Sequence, residues 1–114
     1  MSNSKLDLLQ GSLDLIVLRA LSWEPMHGFG IARWIRAQTG DALQVEEGSL
    51  YPALYRMEDR GWIKAQWGTT ENGRRAKYYQ LTAAGRRQLA EETQTWSRFV
   101  GAMGKILSPR PQTA

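Results

Sequence analysis

Arg74, Arg75 and Lys77 place three cations within four residues, directly after an Asn72-Gly73 pair. Upstream, Ser49, Tyr51, Tyr55 and Arg56 offer a hydroxyl, two phenols and a guanidinium along one short stretch. All of these groups suit phosphate oxygens, and several can also reach base edges. A turn that needed charge only for solubility would be served by mixed signs. A block of one sign fits contact with a phosphate backbone better. The chemistry these residues offer is recognition of a nucleic acid.

Their spacing defines the elements that must carry them. Leu50, Leu54 and Met57 recur at i, i+4 and i+7, with Gly61 closing the row, so a helix turns one stripe inward. At about 100° per residue, the opposite face carries Ser49, Pro52, Arg56 and Asp59, with Tyr55 at its edge and Tyr51 on its flank. Pro52 is expected in the first turn or so, because deeper in it would remove a helical hydrogen bond. Alone, this helix has two readings: the tyrosines cover the core and Arg56 is solvated, or all three meet DNA. Ile63, Ala65 and Trp67 then alternate with Lys64 and Gln66, and a second run of the same period spans 77–81. The Asn72-Gly73 turn signal lies between them. A helix followed by a basic hairpin is the DNA-reading end of a winged-helix module.

The preceding chain supplies two more helices. The first is expected over 12–23, with Leu13, Ile16, Val17, Ala20 and Leu21 buried and Ser12 as its cap. A break follows over 24–28. The second helix is expected over 28–38, burying Ile31, Trp34 and Ile35 and ended by Gly40. Gly28 and Gly30 either admit the first helix at close range or serve only as loop residues. Three helices and then a hairpin is the winged-helix order. Trp23, Trp34, Trp62 and Trp67 are read as packing residues.

Beyond Thr82, a candidate N-cap, Leu89, Thr93, Trp96, Val100, Met103 and Leu107 alternate four and three residues apart, which is a heptad seam. Phe99 and Ile106 widen it. So small a domain cannot hide the stripe of a helix of about 25 residues, which predicts pairing with a second copy. The alternative is a helix folded back on the first one, and a seam that contacts both a partner helix and the partner's N-terminal helix would be a compromise. Gly101 and Gly104 weaken this helix or allow close packing near its end. A disordered tail is expected over 108–114. The division is then 1–81 for DNA binding, 82–107 for dimerisation and 108–114 for the tail. The fold class is mainly α with a small antiparallel β-hairpin.

Composition narrows the alternatives. The 114 residues make one domain, with 15 Lys and Arg against 11 Asp and Glu giving a net charge of +4, doubled to +8 in a dimer. There is no Cys, so disulfides and thiolate sites are excluded. The single histidine, His27, falls in a turn with no acid and nucleophile nearby in sequence. Glu58 and Asp59 diverge on a helix, and Glu46-Glu47 has no evident metal partners, so no catalytic, metal or cofactor site is expected. Helix-terminal charge stabilisation suits Glu46 and Glu47, and surface ion pairs suit Glu58 and Asp59. Gly28-Phe29-Gly30 lacks the third glycine and preceding strand of a dinucleotide site. The most apolar run, 13–21, is short and broken by Asp14 and Arg19, and the start lacks a signal peptide's apolar stretch, so the expected location is cytoplasmic and nucleoid-associated.

GSLYPALYRMEDRGWI followed by GRRAKYYQLTAAGRRQL resembles the PadR family of bacterial transcriptional regulators, and LLQGSLDLIVLRALSWEPMHGFGIARWI matches that family's first two helices. The resemblance covers residues 6–107, with LYP and RRAKYY its most specific motifs. It implies a winged helix-turn-helix with an added C-terminal dimerisation helix. It also implies a homodimer that binds inverted-repeat operator DNA and represses transcription until an effector releases it. On that model Ser49, Tyr51, Tyr55 and Arg56 contact the groove and its rims, with Pro52 packed nearby and Arg56 reading a base. Arg74, Arg75 and Lys77 grip flanking phosphates or a minor groove. Leu89, Trp96, Phe99, Val100, Met103 and Leu107 form the dimer seam. Some short PadR-like regulators bind planar drugs beside an aromatic residue on this helix, which makes Trp96 and Met103 candidate contacts for a small hydrophobic effector. Trp96 as a plain dimer anchor is the competing reading. Longer members carry several C-terminal helices where this chain has one, so their effector site does not transfer. Two further readings of the whole chain are a ligand sensor centred on Trp96 and a winged-helix adaptor that binds protein.

Overall fold

In a computed structural model, which describes residues 10–109, the chain runs α1 (Gln10–Leu21), β1 (Met26–His27), α2 (Gly28–Gln38), α3 (Glu47–Asp59), β2 (Ile63–Thr69), β3 (Arg75–Leu81) and α4 (Ala83–Leu107). The helical periodicity therefore translates into four helices, with two departures near the start. α1 already includes Gln10, so Ser12 is not its cap, and it ends at Leu21 before Trp23. The expected two-stranded hairpin is a three-stranded antiparallel sheet in the order β1-β3-β2. The added strand is two residues long and pairs Met26 with Tyr79 and His27 with Tyr78. A strand that short has no period to read.

The core forms where the helical stripes meet one face of the sheet. Val17 and Leu18 of α1, Ile31 and Ile35 of α2, and Leu50, Leu54 and Met57 of α3 close over Ile63 and Tyr79. In the β2–β3 register Ile63 faces Leu81, Ala65 faces Tyr79 and Trp67 faces Lys77. Side chains alternate along each strand, so this row shares the core-facing side and runs outward from the core to the hairpin's end.

The α3–β2 corner is also the base of α4. Gly61 turns the chain at φ 78, a left-handed conformation that favours glycine. The Thr82 N–H donates to the Trp62 carbonyl at 3.0 Å, and the Thr82 hydroxyl donates to the Gly61 carbonyl at 2.6 Å. The same oxygen accepts the Gly85 N–H at 3.0 Å, so Thr82 is the expected N-cap of α4. Gly85 sits against the Trp62 carbonyl so closely that a Cβ there would collide with it.

α4 leaves this base along α1, and the chain reaches 63 Å in its longest dimension. Leu89 does not lie free on a seam; it is half-buried against the chain's own core. Farther along, Trp96, Phe99, Val100, Ile106 and Leu107 stand exposed, the last two at 72% each. Ser108 ends the helix with its N–H on the Gly104 carbonyl at 3.0 Å. Of the expected tail, residues 110–114 lie outside the described residues.

Tyr79 carries a pH dependence. Burial first, then the charge of Glu58 and the neighbouring Tyr55 and Tyr51, pushes its phenol up to about 12. The fold therefore holds the neutral phenol more firmly than the unfolded chain does, whose tyrosines titrate near about 10. This contribution is fully present below about pH 10 and is lost as the pH rises toward 12. Urea unfolding should show a stability loss over that window, of which Tyr79→Phe removes up to about 2 kcal/mol. An identical alkaline profile in the variant would assign the loss to other groups.

Candidate nucleic-acid interface

α3 turns Leu50, Ala53, Leu54 and Met57 into the core, which leaves Ser49, Pro52 and Tyr55 on the outer side. Because α3 begins at Glu47, Pro52 lies early in its second turn. Its missing N–H deprives the Gly48 carbonyl of its usual helical donor, on a part of the helix that is exposed. Glu46 is the N-cap residue and makes no side-chain capping bond, while Glu47 places a carboxylate in the first turn, where the helix dipole favours it.

The two tyrosines differ. Tyr55 is 53% exposed and its ring centroid lies 6.3 Å from that of Tyr51. Tyr51 is half-buried, with its phenol over Gly28 at the start of α2, where a Cβ would collide with it. Burial, followed by the charge of Glu47 and by Tyr55, raises the Tyr51 pKa. Gly28 thus admits a side chain of α3 and not the first helix, and Tyr51 joins α2 to α3 with only part of its surface free.

Arg56 departs most from expectation. Its Nη2 donates to Asp14 Oδ1 at 2.5 Å, and the two side chains are 30% and 11% exposed. Asp14 is a buried charged residue of α1. A buried carboxylate needs a partner, and Arg56 supplies it from 42 positions away. This guanidinium is thus held against α1, with part of its side chain still exposed. The signal that could have exposed it was a lone carboxylate among the apolar residues of 13–21.

The wing places its cations more nearly as expected. The turn closes with the Thr70 N–H on the Arg74 carbonyl at 2.8 Å and the Gly73 N–H on the Thr70 carbonyl at 2.9 Å. Gly73 has φ 82, which the Asn72-Gly73 pair anticipates. Arg74 and Arg75 are exposed. Lys77 lies 3.7 Å from Glu58, and its ammonium sits 5.8 Å from the Tyr55 ring centroid, tying the wing to α3.

Between the start of α2, the outer tyrosines of α3 and the wing runs an open cleft of about 1060 Å³. Phe29, Tyr51, Tyr55, Trp67, Arg74 and Arg75 are among the residues along it. Trp67, expected to be a packing residue, is 57% exposed there. His27, the other residue with potential chemistry, is spent on structure: its Nδ1 accepts the Gly30 N–H at 2.9 Å and caps α2. Among the described residues no cluster of His, Asp and Glu could hold a metal ion, and no helix is long and apolar enough to cross a membrane.

Residues 17–91 match the family model described as the transcriptional regulator PadR-like family. An uncharacterised protein of Lysinibacillus sphaericus is 32% identical over 91 residues, spanning 80% of this chain and 84% of that protein. A transcriptional regulator of Clostridium thermocellum has a similar structure, with a TM-score of 0.79 at 27% identity over 87% of this chain and 96% of its own. A PadR-like transcriptional regulator of Bacillus cereus aligns with a TM-score of 0.77 at 28% identity, covering 90% of this chain and 97% of its own.

The Asp14–Arg56 pair predicts a stability cost where the sequence suggested a solvated charge or a DNA contact. Arg56→Ala leaves a buried carboxylate without its partner and should cost about 2–3 kcal/mol of unfolding free energy, less than a fully buried pair because Arg56 is partly solvated. Removing both charges in Asp14→Ala/Arg56→Ala should restore part of that. Urea denaturation measures both, and a change under about 0.5 kcal/mol for Arg56→Ala would place the pair among ordinary surface contacts.

Proposed function

The chain belongs to the PadR-like family of transcriptional regulators, and we propose that it works as a homodimeric repressor of an inverted-repeat operator. Residues 1–81 form the DNA-binding unit and 82–107 the pairing helix. The observation that carries this reading is that Tyr51 and Tyr55 of α3 line one cleft together with the exposed cations Arg74 and Arg75. Ser49, Pro52 and Tyr55 meet the major groove, with Tyr51 at the rim. Arg74 and Arg75 take flanking phosphates, and Lys77 adds positive charge where it bridges the wing and α3. Arg56 acts behind the interface, fixing the helix that makes the contacts.

Dimerisation through α4 is supported by the apolar row that the single chain leaves in water. Trp96, Phe99, Val100 and Leu107 are exposed together over three turns, with Met103 half-buried among them. Twofold pairing of this row covers it and presents two α3 helices to successive major grooves about 34 Å apart. Leu89 supports pairing from behind, by seating the helix on its own domain.

The test is fluorescence anisotropy with duplex DNA from the chain's own promoter region at several salt concentrations, with unrelated duplex as competitor. Competitor-resistant binding that weakens steeply with salt is expected, with a footprint of two symmetric halves. Arg74→Ala and Arg75→Ala should each weaken all sequences alike and reduce the slope of log K against log salt by about 0.9. Binding with little salt dependence would favour an adaptor that recognises protein.

A second reading concerns release from the operator. Trp96 and Phe99 lie with ring centroids 5.6 Å apart on the exposed row, an arrangement that can receive a planar hydrophobic effector between subunits. Met103 supplies an adaptable wall. Planar aromatic compounds should quench tryptophan fluorescence and weaken DNA binding, and Trp96→Ala should lose both responses. Quenching that survives in Trp96→Ala would move the effector elsewhere.

A further inference from the structure

Trp67 is out of place for a packing residue. It follows Ile63 and Ala65 on the core-facing side of β2, yet it lies beyond the core and is 57% exposed. With more than half of its surface in water, so large an indole forgoes much of the stabilisation that burial would give. Its surroundings are specific. The Arg75 guanidinium stacks over it at 4.6 Å from the ring centroid, and Lys77 is its cross-strand neighbour. Tyr55, exposed on α3, lines the same cleft. One wall is thus a phenol on the helix, the other an indole on the wing, and cations accompany both.

We propose that Trp67 is a direct DNA-contacting residue, its indole packing against the sugars of the backbone strand that lies between α3 and the wing. The proposal rests on the DNA-binding reading and adds an uncharged contact to it. A sugar–phosphate strand alternates an apolar deoxyribose face with a charged phosphate. An aromatic face with a guanidinium stacked on it matches that alternation: the indole covers the sugar and Arg75 reaches the adjoining phosphate. Aromatic contact of this kind is tolerant of sequence. Trp67 therefore contributes affinity and leaves the choice of operator to α3.

An apolar contact releases no counterions, which separates Trp67 from its cationic neighbours. The experiment uses the full chain and a fluorescein-labelled duplex that the unaltered protein selects from a random pool. Trp67→Ala should weaken binding about tenfold at every salt concentration with an unchanged slope of log K against log salt. Trp67→Phe should keep most of the affinity. Arg75→Ala should instead lower the slope by about 0.9. Thermal unfolding followed by circular dichroism checks that each variant keeps its fold. Full affinity in Trp67→Ala overturns the proposal alone. A lowered slope in Trp67→Ala also overturns it, since Trp67 would then act only by holding Arg75. Failure of the unaltered protein to select any duplex overturns the DNA-binding reading, and this proposal with it.

Discussion

A carboxylate buried on α1 sets the position of the helix that faces outward. Asp14 is a buried carboxylate, and Arg56 is the side chain that meets it. Because Arg56 is anchored inward, the rotation of α3 about its own axis is defined from two sides. Leu50, Leu54 and Met57 fix it by filling the core, and the ion pair fixes it at the helix flank. Hydrophobic contact alone tolerates small rotations, whereas a hydrogen-bonded charge pair has a direction. The placement of Ser49, Pro52 and Tyr55 follows from that double constraint.

The same economy appears where α2 meets α3. Tyr51 fills the space that Gly28 leaves open, and His27 caps the helix that begins there. Arg56, Tyr51 and His27, whose chemistry suggested contact or catalysis, thus serve first as joints, whereas Ser49, Pro52, Tyr55, Phe29, the end of the wing and the outer row of α4 stay exposed. Cation–aromatic stacking recurs on the free surfaces: Arg75 on Trp67, Arg33 on Phe29 and Lys77 near Tyr55. Stacked in this way, a guanidinium keeps its outer edge available to an anion while its flat face is desolvated.

Much of this was legible from periodicity. The inward stripe of α3, the alternation of β2, the Asn72-Gly73 turn and the Thr82 cap each follow from local rules that act over a few residues. The features that escaped depend on distant partners. Arg56 reads as an outward cation until Asp14 is brought beside it by the crossing of α1 and α3. The start of α3 at Glu47 is a boundary that no strong capping side chain marks. β1 owes its existence to β3 and has no pattern of its own. Trp67 continues an alternating row correctly, but sequence spacing cannot reveal where the core ends along a strand. For the interface, the helix and wing were legible as elements, whereas the division of their residues between contact and support was not.

The junction at Thr82 has a mechanical consequence. Gly85 is pressed on the Trp62 carbonyl and Thr82 bonds to both sides of the α3–β2 corner, so the first turn of α4 is clamped to the domain. The 25 residues beyond it make a rod of about 37 Å. Held at its base and along α1 as far as Leu89, the rod's remaining residues, 90–107 and about 27 Å long, act as a lever: a tilt of about 5° there corresponds to about 2 Å at the far end. In the twofold pair proposed above the levers would cross, and their crossing angle would set the separation of the two winged-helix units. Anything that wedges apart the rods near Trp96 would then be felt as a change of span, with neither head altering its own shape.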